Sequence, residues 1–447
     1  MDIKRQAKEY AIEAHSGQRR KSDLDKPMVI HPINVADILS SYGFDDNVIA
    51  AGYLHDVVED TEHTLDDIRD TFGDDIASLV EGASEPDKSL SWEERKQHTI
   101  DTIKTLDFRH KTILTADKIS NLEDLRIIFE LKGEYDFSAF KRGFDSQKWY
   151  YEEVYKSLTL NEEEHPMFER LKELIDYIFE RKTNDEFLVD NIFNDSLNEY
   201  KTLKRLHFKK LEISKLRTFI NNDPYVIEFT GTPRTGKTTL LNNLSDFFKK
   251  GDFNVDVVSE FTTSDIYKKT IKPTLKTEYK KAVMELIPEN ININLNKAIK
   301  SNPDIIIVDR CLFDRLIWVD RLFSKGKVTE EEYKEYMNKY LPLIKDNIDI
   351  VIDTYTDPIT ALKRDYLNNL SLEKRSFLNE DNVSEYNNAL KNIEVLGEKE
   401  SINLKKYDTT NITQRELSLR VCEDILDDMK VKLLKKVNDN KELINKR

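Results

Sequence analysis

The sequence predicts a multidomain protein in which an all-helical region is followed by an α/β domain built on a parallel sheet. Throughout residues 1–182, apolar residues recur every three to four positions, which is the period of a helix, and no β-rich run interrupts them. From residue 223 onwards, short apolar runs alternate with helical segments, as in parallel sheets covered by helices. We therefore expect a helical domain at 1–182, a basic helical linker at 183–222 and an α/β domain at 223–447.

Charge and histidine are unevenly divided between the two parts. Residues 1–182 contain 25 basic and 40 acidic residues, which accounts for the whole net charge of −15, and seven of the eight histidines. Because an acidic chain is repelled by phosphate backbones, nucleic acid is a disfavoured partner. The segment 201–217 is an exception, with seven basic residues and one acidic residue. We interpret it as an amphipathic linker helix, and a surface for polyanions is the alternative.

The composition indicates neither a membrane protein nor a disulfide-stabilised one. No apolar run approaches the ~18 residues of a membrane-spanning helix, and the charged N-terminus lacks the apolar core of a signal peptide. Cys311 and Cys422 are too few for a disulfide framework or a cysteine zinc site. We expect a cytoplasmic protein whose partners are small molecules, with no membrane contact; a homo-oligomer stays open.

Histidine and aspartate at three places in the helical region form a candidate metal centre. They are His31 in IHPINVA, the pair His55–Asp56 in AGYLHDVVEDT, and Asp117 in LTADKISNLEDL. Divalent cations in hydrolases take imidazole and carboxylate ligands and keep positions open for water and substrate. We predict that three helices each contribute to one cation site.

Two further carboxylates follow the His-Asp pair within one helical turn. Glu59 is four residues beyond His55 and three beyond Asp56, and Asp60 is four beyond Asp56. A cation would lower the pKa of a bound water, and Glu59 and Asp60 would position that water or relay its proton.

These segments, together with AHSGQRRKSDLDKPMVIHPINVADIL, resemble in order and spacing the HD-superfamily hydrolase domain of (p)ppGpp hydrolases over about residues 1–182. The likeness is closest to small single-domain members related to the metazoan SpoT homologue. It implies an all-helical fold, one Mn²⁺-type ion and removal of pyrophosphate from the 3′ position of a guanosine nucleotide; relatives also dephosphorylate NADPH. For individual residues the resemblance implies metal ligation by His31, His55, Asp56 and Asp117, catalytic or water-positioning roles for Glu59 and Asp60, and nucleotide contacts from Arg20, Lys21 and Asn121.

The segment GTPRTGKT at 231–238 fits the phosphate-binding loop pattern G-x-x-x-x-G-K-[ST]. The strand candidate YVIEF precedes it and the helix candidate TTLLNNLSDFFKK follows, which is the context that the motif requires. Backbone N–H groups would face the phosphates of ATP, Lys237 would reach the outer phosphates, and Thr238 is placed for Mg²⁺. The expected nucleotide-binding residues are Gly231, Thr232, Pro233, Arg234, Thr235, Gly236, Lys237, Thr238 and Thr239.

Polar residues at the ends of other predicted strands suggest phosphoryl transfer. Asp309 in IIIVDRC would hold a Mg²⁺ shell, and Arg310 a substrate phosphate, with a structural ion pair as the alternative for Arg310. Glu260 in VVSEF would accept a hydroxyl proton. A predicted helical lid carries Arg364 as a substrate contact, together with the basic residues Lys363, Lys374 and Arg375.

This combination resembles P-loop nucleoside and nucleotide kinases of the deoxynucleoside/thymidylate kinase-like group over about 223–435. The sequence thus predicts a two-headed enzyme, a metal-dependent nucleotide phosphohydrolase joined to an ATP-dependent P-loop phosphotransferase. One alternative is a polynucleotide kinase-phosphatase that heals nucleic-acid ends. Another is a regulatory switch in which ATP at the P-loop gates the hydrolase.

Overall fold

The structure, a computed structural model, describes residues 2–84, 89–133, 137, 140, 142–181, 189, 192–193, 196–221, 223–251, 253–368, 379–439 and 443. The chain divides into two compact units. The first unit combines Met1–Asn221 with Lys430–Arg447, and the second is Asn222–Met429. The C-terminal segment therefore returns to the first unit, whereas the predicted α/β domain ran to residue 447. The predicted boundaries at 182 and 222 stay a prediction.

The described part of the first unit is helical, apart from one antiparallel bridge between Arg19 and Pro27, which agrees with the predicted fold class. Its helices before the second unit are Ile3–Ala14, Ile30–Ser41, Asp46–Leu54, Val57–Asp60, Leu65–Phe72, Asp74–Ala83, Trp92–Ile103, Phe108–Lys132, Gly143–Leu158, Pro166–Glu180 and Leu197–Thr218.

The long helix Phe108–Lys132 organises this unit. Its N-cap is Asp107, whose side chain accepts a hydrogen bond from the backbone N–H of His110 and so satisfies one of the free donors of the first turn. The helix packs against the helices Ile30–Ser41, Pro166–Glu180 and Leu197–Thr218. Because it has neighbours on several sides, apolar residues occur around its circumference, and its buried positions follow no single stripe.

The helix Leu197–Thr218 covers most of the predicted basic linker. It buries Leu206, Phe208, Ile213 and Leu216, so it is part of the core of the first unit. Its basic residues include Lys204, which forms an ion pair of 2.9 Å with Glu130. This helix packs within the unit, and charges such as that of Lys204 face carboxylates; its amphipathic linker role stays a prediction.

The second unit is a five-stranded parallel sheet with helices, which confirms the predicted α/β class. The strands are β1 (Tyr225–Gly231), β2 (Val255–Val258), β3 (Ile305–Asp309), β4 (Ile350–Tyr355) and β5 (Leu404–Asp408). Their order in the sheet is β2-β3-β1-β4-β5, and every pairing is parallel. The strands β1, β2 and β3 coincide with the strand candidates YVIEF, VVSEF and IIIVDRC of the sequence analysis. The central strand β1 is buried along its whole length, as expected for a strand flanked on both sides.

Helices cover this sheet and connect its strands, since a parallel connection needs a crossover. The helices of the second unit are Lys237–Lys249, Lys272–Thr277, Tyr279–Lys281, Ile287–Lys300, Leu312–Ser324, Glu330–Asn347, Pro358–Asn368 and Glu380–Lys399, with short 3₁₀ or π turns at Phe261–Thr263, Tyr267–Ile271 and Ala282–Leu286. The last helix, Gln414–Val437, belongs to the second unit up to Met429 and to the first unit from Lys430. The predicted lid begins with the helix Pro358–Asn368, and its residues Lys374 and Arg375 lie outside the described residues. Among the described helices, none combines the length and apolar character needed to cross a bilayer.

Candidate metal centre and nucleotide-binding loop

Four predicted metal ligands meet in the first unit. Nε2 of His31 lies 3.0 Å from Oδ1 of Asp117 and 3.5 Å from Oδ2 of Asp56. Nε2 of His55 lies 3.2 Å from Oδ1 of Asp56 and 4.0 Å from Oδ1 of Asp117. Ligand atoms of His31, His55 and Asp117 all lie within 4.8 Å of one another, so a single cation could contact them together. Three segments of the chain contribute, as predicted.

The hydrogen bonds of the two histidines fit a metal-binding role. Nδ1 of His55 lies 2.9 Å from the carbonyl oxygen of Gly52, and a carbonyl only accepts, so Nδ1 carries the proton and Nε2 keeps its lone pair. That Nε2 atom is buried and makes no hydrogen bond within the described part of the chain. Nδ1 of His31 lies 3.0 Å from Oγ of Ser120, a hydroxyl that donates as well as accepts, so this contact orients the ring without fixing which nitrogen carries the proton. Two carboxylates facing two such imidazoles fit a divalent cation.

The electrostatics of the site favour ligands in their metal-binding forms. Burial and the nearby charge of Arg20 lower the pKa of His31, which keeps this imidazole neutral. Burial by itself would raise the pKa of Asp56, but the adjacent histidines hold it below its ordinary value. Burial opposes ionisation of Asp117 too, yet the Lys118 ammonium and the hydrogen bond with His31 hold the pKa of Asp117 well below its usual range.

The backbone at the His-Asp pair differs from the continuous helix assumed in the sequence interpretation. The helix Asp46–Leu54 ends at its C-cap His55, and the short helix Val57–Asp60 begins after its N-cap Asp56. The pair therefore lies at a break between two helices, and this break brings both side chains to the same centre. Glu59 and Asp60 are half-buried on the short helix directly after Asp56. Their catalytic roles stay a prediction.

Of the three predicted substrate contacts, Asn121 and Arg20 are hydrogen-bonded to the metal centre or to each other, and Lys21, within the part of the chain that the structure describes, is not. Asn121 donates a hydrogen bond of 2.6 Å to Oδ1 of Asp117, and Arg20 donates one of 3.1 Å to Oδ1 of Asn121. Arg20 is thus two hydrogen bonds away from a proposed ligand. Lys21 is exposed to solvent, and no hydrogen bond or ion pair among the described residues ties it to the site.

Sequence reasoning assigned no role to Lys118, although this residue follows Asp117 directly. Its Nζ atom lies 2.7 Å from Oδ2 of Asp117 and 5.6 Å from the ring centre of Tyr150. Burial raises the pKa of the neighbouring Tyr151 hydroxyl, which therefore stays protonated. A role for Lys118 could have been predicted because it follows a proposed ligand carboxylate in the sequence. The aromatic residues Tyr150 and Tyr151 were a weaker indication.

The phosphate-binding loop of the second unit connects β1 to the helix Lys237–Lys249. Gly231 has a φ of +123°, and a Cβ atom there would lie 1.9 Å from the carbonyl oxygen of Thr354 on β4. Gly236, the N-cap of the helix, has a φ of 89°. Both motif glycines are therefore required by backbone conformation, and at Gly231 also by the close approach of a neighbouring strand.

Lys237 lies folded over its own loop. Its Nζ atom donates to the carbonyl oxygens of Gly231 at 3.2 Å and Thr232 at 2.9 Å. Burial and the positive charge of Arg310 lower the pKa of Lys237 to about 7. An anion in the loop would offset both effects, which suits this lysine for binding a phosphate.

A cavity of about 680 Å³ opens at this loop. Its lining contains seven of the nine predicted nucleotide-binding residues and all four of the other predicted site residues of this unit. The lining residues are Pro233, Arg234, Thr235, Gly236, Lys237, Thr238, Thr239, Glu260, Asp309, Arg310, Arg364, Thr409, Ile412, Gln414 and Leu417. Gly231 and Thr232, the remaining two, lie buried at the end of β1 and directly after it.

Two of the four other predicted residues are carboxylates, and Asp309 is the better candidate for a cation shell. Its Oδ1 atom is buried and has no hydrogen-bond partner among the described residues, and burial raises the pKa of this group. A buried carboxylate oxygen without a partner beside a phosphate loop fits a Mg²⁺ ion. Oε1 of Glu260 accepts a hydrogen bond of 2.8 Å from Thr262.

The two predicted arginines have protein partners as well as a place in the cavity wall. Arg310 donates to Oδ1 of Asp314 at 2.7 Å and to the carbonyl oxygen of Gly231 at 3.0 Å. The structural ion pair considered as an alternative for Arg310 is thus present. Arg364 donates to Oγ1 of Thr409 at 3.1 Å and to the backbone carbonyl of the same residue, which ties it to the loop after β5.

Comparison with known proteins gives one family match in each of the two units. The family model described as HD domain matches residues 7–130, and the one described as AAA domain matches residues 226–369. The chain is 42% identical over 121 residues to guanosine-3′,5′-bis(diphosphate) 3′-pyrophosphohydrolase MESH1 of Drosophila melanogaster, covering 27% of this chain and 67% of that protein. For MESH1 of Danio rerio the identity is 40% over 118 residues, covering 26% and 65%. The chain thus spans about two thirds of the length of these curated relatives.

The second unit resembles a solved structure more distantly. Deoxyadenosine kinase from M. mycoides with bound dATP is 20% identical, with a TM-score of 0.33, and the match covers 45% of this chain and 99% of that one. This likeness is too weak to support a conclusion about function.

Proposed function

We propose a function for each unit from one premise: through its N-terminal unit, the chain belongs to the HD-domain family of the MESH1 3′-pyrophosphohydrolases. The first unit is a Mn²⁺-dependent hydrolase of (p)ppGpp-type nucleotides, or of the phosphate of NADPH. The observation that carries this proposal is that ligand atoms of His31, His55 and Asp117 lie within 4.8 Å of one another, with the carboxylate of Asp56 beside both imidazoles.

The four side chains would hold the cation, which supplies Lewis-acid activation of water and phosphate when bound. Arg20, and Lys21 if it turns towards the site, bind phosphate groups of the substrate, and Asn121 orients Arg20. Glu59 or Asp60 takes a proton from the attacking water. The water oxygen bonds to phosphorus, the bond from phosphorus to the 3′ oxygen breaks, and the 3′ oxygen leaves with a proton. The products are pyrophosphate and the nucleotide with a free 3′ hydroxyl.

The second unit is an ATP- and Mg²⁺-dependent kinase of a small nucleoside or nucleotide. Two features of one cavity support it: loop residues 233–239 line it, and so does Asp309, whose Oδ1 atom has no hydrogen-bond partner among the described residues. Lys237 holds the outer phosphates of ATP, Thr238 and Asp309 serve the Mg²⁺ ion, and Glu260 accepts the proton of the acceptor hydroxyl. Arg310 and Arg364 contact substrate from the cavity wall.

A metabolite panel tests both proposals with the full-length protein. The panel contains ppGpp, NADPH, 3′-phosphate oligonucleotides and nucleosides, incubated with Mn²⁺, Mg²⁺ and ATP and followed by mass spectrometry. Release of pyrophosphate from ppGpp, or of phosphate from NADPH, together with phosphorylation of a nucleoside or nucleotide, is the expected result. Preference for the oligonucleotide would instead favour a kinase-phosphatase of nucleic-acid ends. ATP binding without any phosphorylated acceptor would favour the regulatory switch.

A further inference from the structure

The loop that carries Arg20 is held as a short hairpin. The backbone N–H of Arg20 donates to the carbonyl oxygen of Lys26 at 3.0 Å, and Arg19 forms an antiparallel bridge with Pro27. We call residues 19–27 the substrate loop, because Arg20 is the proposed phosphate contact. Any group that fixes Lys26 therefore also restrains the backbone of Arg20.

Lys26 is fixed by a carboxylate from outside the HD match. Its Nζ atom lies 2.8 Å from Oε1 of Glu212, a residue on the helix Leu197–Thr218 that is only 3% exposed. The other carboxylate oxygen of Glu212 lies 2.9 Å from Nζ of Lys430. A buried carboxylate between two ammonium groups is well compensated, and removing one partner is costly. The helix thus sets the backbone of the substrate loop.

The same helix also contacts the side chain of Arg20 indirectly, through Asp124. One guanidinium nitrogen of Arg20 lies 3.3 Å from Oδ2 of Asp124, and Oδ1 of Asp124 accepts a hydrogen bond of 2.7 Å from Lys215. Asp124 therefore stands between two cations. With Lys215 present, the negative charge of Asp124 is shared, and Arg20 retains positive potential towards a substrate phosphate.

The C-terminal segment touches the substrate loop as well. Nδ2 of Asn438 donates to the carbonyl oxygen of Asp25 at 3.1 Å, and Oδ1 of Asn438 accepts a hydrogen bond from Arg19. Two residues of this segment therefore act on the substrate loop: Asn438 contacts it directly, and Lys430 acts through Glu212.

We propose that Lys215 and Glu212 are positioning residues for the nucleotide substrate of the hydrolase, and that Leu197–Thr218 and residues 430–438 complete its substrate site. This rests on the proposed hydrolase function. These segments lie outside residues 7–130, which the HD family model matches, so this chain supplies the support for its substrate loop from later parts of its sequence. They act on Arg20 and leave the metal ligands untouched, so their loss impairs binding of substrate more than turnover.

Steady-state kinetics of full-length variants with ppGpp as substrate test this inference. For Lys215→Met we expect the KM to rise about tenfold while kcat stays within about twofold, because Asp124 then neutralises Arg20 more fully and weakens its contact with a substrate phosphate equally in the ground state and the transition state. Lys215→Arg restores a cation beside Asp124 and should recover most of the wild-type KM. Lys201→Met removes an exposed lysine near the start of the same helix and serves as the matched control, with both constants unchanged.

A second variant guards against misfolding of the first. Glu212→Gln removes the charge between Lys26 and Lys430, and we expect a rise in KM in the same direction, with Mn²⁺ content equal to that of the wild type. If the active wild type and both folded variants share one KM, or if kcat falls with KM unchanged, the inference is overturned and the hydrolase proposal stands. If the wild type turns over neither ppGpp nor NADPH, the hydrolase proposal itself fails.

Discussion

Nε2 of His31 lies 3.0 Å from Oδ1 of Asp117, although the two residues belong to different helices of the first unit. Without a cation, this contact is a hydrogen bond from a histidine to a carboxylate. In the proposed metal-bound site both atoms would be ligands, together with His55 and Asp56.

Substitution of a metal ligand should abolish hydrolysis while leaving the fold intact. For Asp117→Asn we expect ppGpp or NADPH hydrolysis to fall at least ~100-fold, because an amide binds a divalent cation far more weakly than a carboxylate. Elemental analysis of the purified protein should show loss of bound Mn²⁺. His98→Gln, at an exposed histidine of the same unit, is the control and should retain both metal and activity. Full activity in Asp117→Asn would exclude it as a ligand.

The first unit should gain stability from the metal. Mn²⁺ at about 100 times its Kd should raise the free energy of unfolding by about 2.7 kcal/mol, because it binds only the folded site. Removal by EDTA should reverse the gain, and Asp117→Asn should show little of it. Calorimetric scans of both proteins with and without Mn²⁺ provide the measurement. An equal gain in both would mean that the ion binds elsewhere.

In the second unit, Lys237→Ala should weaken nucleotide binding at the loop. Lys237 is the cation closest to where the outer phosphates would lie, and its loss should weaken ATP binding at least ~10-fold. Titration calorimetry with ATP and Mg²⁺ measures this, and Lys249→Ala at an exposed position of the same helix is the control. Hydrolysis by the first unit should stay unchanged. A loss of hydrolysis in this variant would favour the ATP-gated switch.

Gly231→Ala should damage the second unit severely. The new Cβ atom would meet the backbone carbonyl of Thr354 at 1.9 Å, and a strand backbone cannot move aside as a side chain can. We expect a loss of more than ~3 kcal/mol in urea unfolding, combining this clash with the left-handed φ. Gly326 also has a positive φ, of +65°, but open space around the position that a Cβ atom would take, so Gly326→Ala should lose only about 1 kcal/mol. Equal losses would show that the close approach to β4 is unimportant.

The charges around Asp124 should make the first unit sensitive to acid. Burial by itself would raise the pKa of Asp124, but the charges of Lys215 and Arg20 hold it well below its ordinary value. A carboxylate with a depressed folded pKa stabilises the fold above its unfolded pKa, and this stabilisation is lost as the pH falls below about 4. Urea unfolding between pH 7 and pH 3 should show this loss in the wild type.

Asp124→Asn cannot ionise and separates this contribution from other acid effects. We expect it to be about 2 kcal/mol less stable than the wild type at pH 7, because two cations lose their partner, and the difference should narrow towards pH 3. Asp75→Asn is the comparison, since the Asp75–Arg109 pair is exposed and should contribute less than about 1 kcal/mol. A constant difference at every pH would refute a charge-based role for Asp124.

Much of this arrangement could be predicted from the sequence because the relevant signals are local. The phosphate-binding loop needs glycines at fixed spacing, and apolar runs mark the strands of the sheet. The meeting of His31, His55 and Asp117 involves distant parts of the chain, and it was predicted from the order and spacing of whole motifs resembling a known family. The break between His55 and Asp56 was missed, because helical periodicity continues across it.

The partners of a helix are harder to predict than the helix itself. The segment 201–217 has the period of an amphipathic helix, but the period does not indicate which surface covers its apolar side. The structure shows Leu206 and Leu216 buried within the first unit, and Lys215 beside Asp124. No local pattern in the sequence indicates that Lys430, inside the helix Gln414–Val437, belongs to the first unit.

The most direct test of the metal centre is anomalous diffraction at the manganese edge from crystals of the full-length protein grown with Mn²⁺. We predict one strong anomalous peak in the first unit, about 2.0–2.3 Å from Nε2 of His31 and His55 and from carboxylate oxygens of Asp56 and Asp117. A peak bound by other residues, or the absence of any peak among these four side chains at saturating Mn²⁺, would contradict the account.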